Sequence, residues 1–173
     1  MKNILLTGRP GIGKTSILKE IIDTLKINAG GFYTREIREG GTRKGFEIIT
    51  LNGKKGILAH VDCRSPYRVS KYGVNIKDIE EIAAPALREA LKNKECIIID
   101  EIGRMELYSP KFCSLVKKVL DSEKKVLGTI QARHNEFLDS IRERKDTKVI
   151  EVIFENRRKI VKEIKEVLRW REP

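Results

Sequence analysis

Eight consecutive residues, Gly8-Arg9-Pro10-Gly11-Ile12-Gly13-Lys14-Thr15, meet every fixed position of the pattern G-x-x-x-x-G-K-[ST]. A polyphosphate carries several negative charges, so a site for it needs many donors at short range. Glycines let the main chain curl with its N–H groups turned inward and let backbone approach the phosphates closely. Lys14 then supplies a point charge to the β and γ phosphates, and the Thr15 hydroxyl can ligate Mg²⁺. The flanks suit that chemistry. Asn3-Ile4-Leu5-Leu6-Thr7 is a short apolar run that predicts a buried parallel strand. Ile17, Leu18, Ile21, Ile22 and Leu25 repeat at helical spacing after the loop, so a helix aims its positive dipole end at the phosphates. The pattern predicts a nucleotide site.

A second motif supplies acids. Ile97-Ile98-Ile99-Asp100-Glu101 reads as a buried strand ending in carboxylates. Open α/β sheets bind ligands at the carboxyl edge of their strands, which brings Asp100 toward the phosphate loop. Mg²⁺ keeps several waters and takes one or two protein ligands, so Thr15 and Asp100 suffice as the metal pair. Glu101, directly after the metal aspartate, is placed to orient or deprotonate an attacking water. That doublet favours hydrolysis over transfer to an acceptor. Lys14 and Glu101 are therefore the candidate catalytic residues.

Phosphoryl transfer also calls for cations placed on the γ-phosphate oxygens. Arg104, Arg133, Arg157 and Arg158 are candidates, each with an ordinary surface role as the alternative. Thr129, close to a strand end, could sense the γ-phosphate. Tyr33 and Phe32 could stack on a base, with core packing the better reading of Phe32.

These groups must be carried by a regular scaffold. Gly30-Gly31 punctuates the chain, and strands are predicted over 32–38, 46–51 and 56–61, with Asn52-Gly53 as a hairpin turn. The stretch around 32–61 is an antiparallel excursion, either an edge extension or a flap over the nucleotide. Asn75 caps a helix that Pro85 kinks or restarts, and Ser109-Pro110 opens another. Val126 to Ile130 is a buried strand, Phe137 to Ile141 a short helix, and Val149 to Phe154 a last strand. Asn156 caps a C-terminal helix with Ile160, Val161, Ile164 and Leu168 inward. Alternating units of this kind imply an α/β fold, a mainly parallel sheet with helices on both faces. Residues 1–173 are expected to form one P-loop domain with a hairpin insertion.

Composition narrows the class. Charged residues make up 35% and hydrophobic ones 40%, and abundant Lys and Glu with few Gln point to a thermophilic source. The net charge of +11 suits a polyanionic ligand. Acids and bases are intermixed, so a nucleic-acid partner is the less favoured reading. Cys63, Cys96 and Cys113 have no C-x-x-C spacing, and His60 and His134 stand alone, which argues against zinc and against a disulfide framework. Free thiols, no leader-like segment and no long apolar run lead to the expectation of a cytoplasmic protein that meets no membrane.

Gly8 to Thr15, Gly31-Phe32-Tyr33-Thr34-Arg35-Glu36-Ile37-Arg38 and Gly45-Phe46-Glu47-Ile48-Ile49-Thr50-Leu51 together resemble the small nucleoside-triphosphatase family of thermophilic archaea and bacteria, which has a vertebrate form. Asp100-Glu101-Ile102-Gly103-Arg104-Met105-Glu106-Leu107 is the most specific segment, and Glu155-Asn156-Arg157 also fits. The resemblance runs from about residue 3 to 165. It implies a RecA-like P-loop core and slow, Mg²⁺-dependent hydrolysis of ATP, GTP, CTP, UTP and TTP to diphosphates with little base preference. It further implies nucleotide contacts at 8–15 and along Cys96-Ile97-Ile98-Ile99-Asp100-Glu101-Ile102-Gly103. Arg104, Gln131 and Phe154 depart from the family pattern, which usually has lysine, proline, and polar or proline residues there.

The expectation is a Mg²⁺-dependent nucleoside-triphosphate hydrolase. Two readings stand beside it: a nucleotide or small-molecule kinase, with Arg142-Glu143-Arg144 as its only lid candidate, and an RNA- or DNA-associated ATPase resting on the net charge.

Overall fold

The computed structural model describes residues 1–169; residues 170–173 of the expected 1–173 span lie outside them. β1 (Asn3–Thr7) leads through the glycine-rich loop into α1 (Lys14–Leu25). β2 (Ala29–Glu39), β3 (Thr42–Thr50) and β4 (Lys55–His60) follow as a meander, and β5 (Arg68–Val69) and β6 (Tyr72–Val74) are two short strands after it. α2 (Ile76–Asp78) passes through a π-helical turn at Ile79–Ala83 into α3 (Ala84–Asn93). Then come β7 (Cys96–Ile102), α4 (Pro110–Asp121), β8 (Lys125–Ile130), α5 (Glu136–Arg142), β9 (Thr147–Glu151) and α6 (Arg157–Arg169).

All strands of the described residues lie in one sheet of order β5-β6-β4-β3-β2-β7-β8-β1-β9. From β2 to β9 neighbours run parallel, and beyond β2 they run antiparallel. The excursion is thus an edge extension of the sheet. Leu6 pairs with Thr129, Ile99 with Gly128 and Phe32 with Ile99, so the ends of β1, β8, β7 and the middle of β2 lie level along one edge.

Why the central strands are apolar at every position follows from the layers. Successive side chains point to opposite faces, and both faces are covered. Leu5, Ile97, Ile99 and Val126 pack under Leu87, Phe112, Val116 and Leu138 on one side. Ile4, Leu6, Ile98 and Leu127 pack under Ile17, Leu18, Ile21, Ile160 and Ile164 of α1 and α6 on the other. A strand buried twice has no polar face to offer.

Three local expectations need correction. Gly30-Gly31 does not separate helix from strand but lies inside β2. A Cβ on Gly31, whose φ is 109°, would sit 2.1 Å from the Ile98 carbonyl oxygen, so the close approach of β2 to β7 excludes a side chain there. The last strand stops at Glu151 rather than Phe154: the Val152 amide makes a last bond to β1, at the Thr7 carbonyl (2.7 Å), and the next amide, Ile153, is taken by the Asn156 side chain as the chain enters a turn at Phe154–Asn156. β5 and β6 were not expected at all; two and three residues are too short to show a period. Pro85 does mark a restart: α3 begins at Ala84, immediately after the π-helical turn. Asn75 and Ser109 cap as expected, accepting from the amides of Asp78 and Phe112.

Candidate functional site

The loop leaves β1 at Gly8 and enters α1 at Lys14, with Gly13 left-handed at φ 105° as the residue before the helix. No side chain caps α1 and no acid stands in its first turn, so the leading amides keep their donors for an anion. The Lys14 ammonium arches over the loop and donates to the Gly8 carbonyl at 2.6 Å.

Asp100 meets that loop although β8 lies between β7 and β1. The Thr15 hydroxyl donates to Asp100 Oδ2 at 2.7 Å, and the Thr129 hydroxyl donates to Oδ1 at 2.7 Å. The Thr34 amide adds a longer contact to Oδ2 at 3.3 Å. Burial pushes the Asp100 carboxyl above its ordinary value, while these donors and the Lys14 charge pull it back. Thr129 is fully buried and spends its hydroxyl on Asp100. It therefore orients the aspartate, in place of the γ-phosphate contact expected for it.

Glu101 follows on the same strand end. Its carboxyl is pushed up to about 7, chiefly by burial, with Lys14 and a Gln131 hydrogen bond lowering it and Asp100 raising it. A carboxyl at that value is a competent proton acceptor near neutral pH. Gln131 also accepts from the Arg104 amide at 2.9 Å and fills the space over Gly103, so the tip of β8 fixes the turn after β7. Behind them Glu106 is buried and pushed up to about 8, by burial and then by its neighbours Glu101 and Asp100.

This acid cluster sets a pH dependence. In the folded chain Glu101 and Glu106 hold protons to about 7 and about 8, whereas in the unfolded chain they release them near the ordinary glutamate value. Between those limits the folded state binds more protons, so stability falls as pH rises through that window. Denaturant unfolding of the metal-free chain should give a free energy that falls steadily as pH rises through that window, by up to about 1.4 kcal/mol per pH unit for each titrating group. Glu106→Gln should flatten that slope; an unchanged slope would place the titrating groups elsewhere.

Not every predicted residue comes to the site. Lys14, Thr15, Asp100 and Glu101 converge, with Gly103 beside them. Cys96, at the start of β7, pairs with Ala29 and Lys125, roughly 13 Å of strand from Asp100. Cys96, Ile97, Ile98, Ile99 and Ile102 are buried core residues that support the strand end without lining the loop. Phe32 is core, edge-on to Phe112 at 6.0 Å. Tyr33 lies under the Lys19 ammonium, 5.1 Å from its ring centre. The arginines of 142–144 do not form a free lid: Arg142 binds Asp139 and the carbonyls of Gln131 and Arg133, and Arg144 binds Asp121 and Asp146.

The contribution of residues 152–157 was only partly visible in the sequence. A Cβ at Gly8 would meet the Val152 carbonyl at 2.8 Å, and one at Gly13 would meet the Arg157 guanidinium at 2.8 Å. The segment after β9 thus presses on both ends of the phosphate loop. Of the four candidate arginines, Arg157 is the one whose guanidinium is shown against that loop. The roles of Glu106 and Gln131 left no signal in spacing or periodicity, because both depend on where β7 and β8 end relative to each other.

The donor set suits a hard cation. Thr15 offers an oxygen from the first turn of α1 and Asp100 from the end of β7, and among the described residues no three His, Cys, Asp or Glu side chains group as a complete protein-only metal cage. Mg²⁺ bound with a triphosphate needs no such cage. The Thr7 hydroxyl, just before Gly8, is buried without a hydrogen-bond partner, a further unmet oxygen at the strand end.

The chain is similar to known proteins along nearly its whole length. The family model described as NTPase matches residues 3–165. "Nucleoside-triphosphatase THEP1" of Thermotoga sp. (strain RQ2) is 52% identical over 96% of this chain and 95% of its own length. The Homo sapiens "Cancer-related nucleoside-triphosphatase" is 37% identical over 94% of each. The crystal structure of THEP1 from the hyperthermophile Aquifex aeolicus superposes with a TM-score of 0.86 at 41% identity, covering 96% of this chain and 98% of that one. The fold is a P-loop fold with an antiparallel extension. No described helix is long and apolar enough to cross a membrane.

Proposed function

The chain belongs to the NTPase family, and from that premise we propose that it hydrolyses nucleoside triphosphates to diphosphates and phosphate, with Mg²⁺ and with little discrimination among bases. The observation that carries the reading is the 2.7 Å contact between Thr15 and Asp100, which brings the phosphate loop and the paired acids to one point. One continuous nine-stranded sheet supports treating residues 1–173 as one nucleotide-binding domain.

In this reading the main-chain amides of Gly11, Gly13, Lys14 and Thr15 donate to the phosphates, and Lys14 exchanges the Gly8 carbonyl for β- and γ-phosphate oxygens. Thr15 and Asp100 hold Mg²⁺, with Thr129 fixing the aspartate by its second oxygen. A cation held there would supply positive charge against the charge developing on the phosphate oxygens. Glu101, steadied by Gln131, orients a water and takes its proton as the water oxygen bonds to the γ phosphorus. The bond from that phosphorus to the β–γ bridging oxygen breaks, and its electron pair leaves with the diphosphate. Asp100, held by the Thr129 hydroxyl and the Thr34 amide and assigned to the cation, leaves the part of base to Glu101.

A phosphate-release panel over the common triphosphates, with Mg²⁺ and with chelator, and with and without diphosphate acceptors, tests the proposal. Release should occur without any acceptor, stop with chelator, and proceed at similar rates across bases. Phosphate that appears only as a transferred group on an acceptor would replace hydrolysis by kinase chemistry. Turnover that persists in chelator would remove Mg²⁺ from the reaction.

A further inference from the structure

β9 lies on the side of β1 away from β7 and β8. The carboxylates of Asp100 and Glu101 reach the phosphate loop from the β7 side, where the terminal phosphate must meet them. The nucleoside end of a bound triphosphate therefore leaves toward β9. On that side a cleft of about 660 Å³ opens between the first turns of α1 and α6, lined among others by Ser16, Ile17, Glu20, Phe154, Arg157 and Val161. Its size is that of a small-ligand site. Ser16 and Ile17 directly follow the last loop residue, Thr15, so loop and cleft are continuous. The Arg157 guanidinium, packed on Gly13, sits at the seam between them.

Phe154 stands at the rim and is 74% exposed. The turn that carries it is fixed: the Asn156 side chain accepts from the Ile153 amide at 2.9 Å and donates to the Glu151 carbonyl at 2.8 Å. An aromatic ring held outward beside a phosphate site has the form of a stacking platform. Every base offers a π-face, so stacking binds without selecting. Tyr33 and Phe32 cannot take this part, because neither lines the cleft.

We propose that this cleft receives the base and ribose of the nucleotide, with Phe154 stacking on the base and Arg157 placing a positive charge where ribose meets phosphate. The inference rests on the triphosphate reading of the loop for the identity of its occupant. It gives a physical source for weak base discrimination: a face-on contact in place of edge-reading hydrogen bonds.

The test compares the parent chain with Phe154→Ala and Phe154→Trp. Dissociation constants for ATP, GTP, CTP and inorganic tripolyphosphate are measured by calorimetry, beside kcat and KM for each. Phe154 is exposed, so its loss should leave the fold intact; thermal unfolding of each variant verifies this. Phe154→Ala should weaken all three nucleotides roughly tenfold in Kd and KM, with kcat near the parent value. Tripolyphosphate, which has no base, should be unaffected, and Phe154→Trp should bind as the parent does. Unchanged nucleotide affinity in Phe154→Ala, an equal loss for tripolyphosphate, or a loss confined to one base would each overturn the proposal. Failure of the hydrolase reading looks different: the parent chain would bind nucleotides yet release no phosphate, and the binding constants would still decide the cleft.

Discussion

Glu101→Gln is expected to bind nucleoside triphosphates about as tightly as the parent chain and to hydrolyse them roughly 10²-fold more slowly, or worse. The amide keeps the shape of the carboxyl and a polar partner for Gln131, but it has no pair of electrons basic enough to take a proton from water. Binding should hold, because the loop amides, Lys14, Thr15 and Asp100 are untouched. It should even tighten slightly, since one negative charge facing a polyanion is gone. Stability supplies the control. Glu101 is pushed up to about 7 by burial and by Asp100, so removing its charge relieves a cost and the variant should unfold no more easily than the parent at neutral pH. Single-turnover phosphate release with a parallel binding isotherm checks this. Wild-type turnover in the variant would take Glu101 out of the mechanism and leave water activation to another group.

Lys14→Ala should fail one step earlier, at productive binding. Its ammonium is the cation that spans the loop, and in the structure it is satisfied by the Gly8 carbonyl at 2.6 Å. Without it the β and γ phosphates lose their closest positive charge, and nucleotide affinity should fall roughly 10²-fold or more. The acids opposite are affected too. Lys14 lowers the carboxyls of both Asp100 and Glu101, so its loss should raise them further and shift any remaining activity to higher pH. Lys14→Arg should not restore function, because a planar guanidinium is larger than the point charge that this tight loop closes over. Nucleotide binding by calorimetry, with kcat/KM against pH for each variant, measures both effects; parental affinity in Lys14→Ala would refute the assignment.

Much of this architecture was legible in order. The interval from Gly8 to Thr15 marks a loop because only residues lacking a Cβ, or a lysine and a hydroxyl at fixed places, serve a wrapped phosphate. Ile97 to Ile99 reads as a twice-buried strand because no polar residue interrupts it, and its end at Asp100 follows from the change to acid. Asn75 and Ser109 announce helix starts through a local bond, side chain to amide three residues on. Where the reading went astray, the cause was long-range. Gly31 looks like a break in sequence, yet it is glycine because β2 and β7 run too close for a side chain. Ile153 and Phe154 look like strand, yet the chain has already turned to lie against Gly8 and Gly13. The segment from Cys96 to Ile99 adjoins the acids in sequence, yet all four residues are core.

The sequence alone determined which groups are present and that they stand at element ends: a loop of amides with Lys14 and Thr15, and a strand closing in Asp100 and Glu101. Those are local matters, governed by backbone freedom, spacing and burial within a few residues. The tertiary structure decided which ends meet and what surrounds them: Thr129 on the second oxygen of Asp100, Glu106 buried behind Glu101, and Arg157 with Phe154 beside the loop. Strand order and register set these contacts, and both arise from packing between segments far apart in the chain, where no short pattern carries the information.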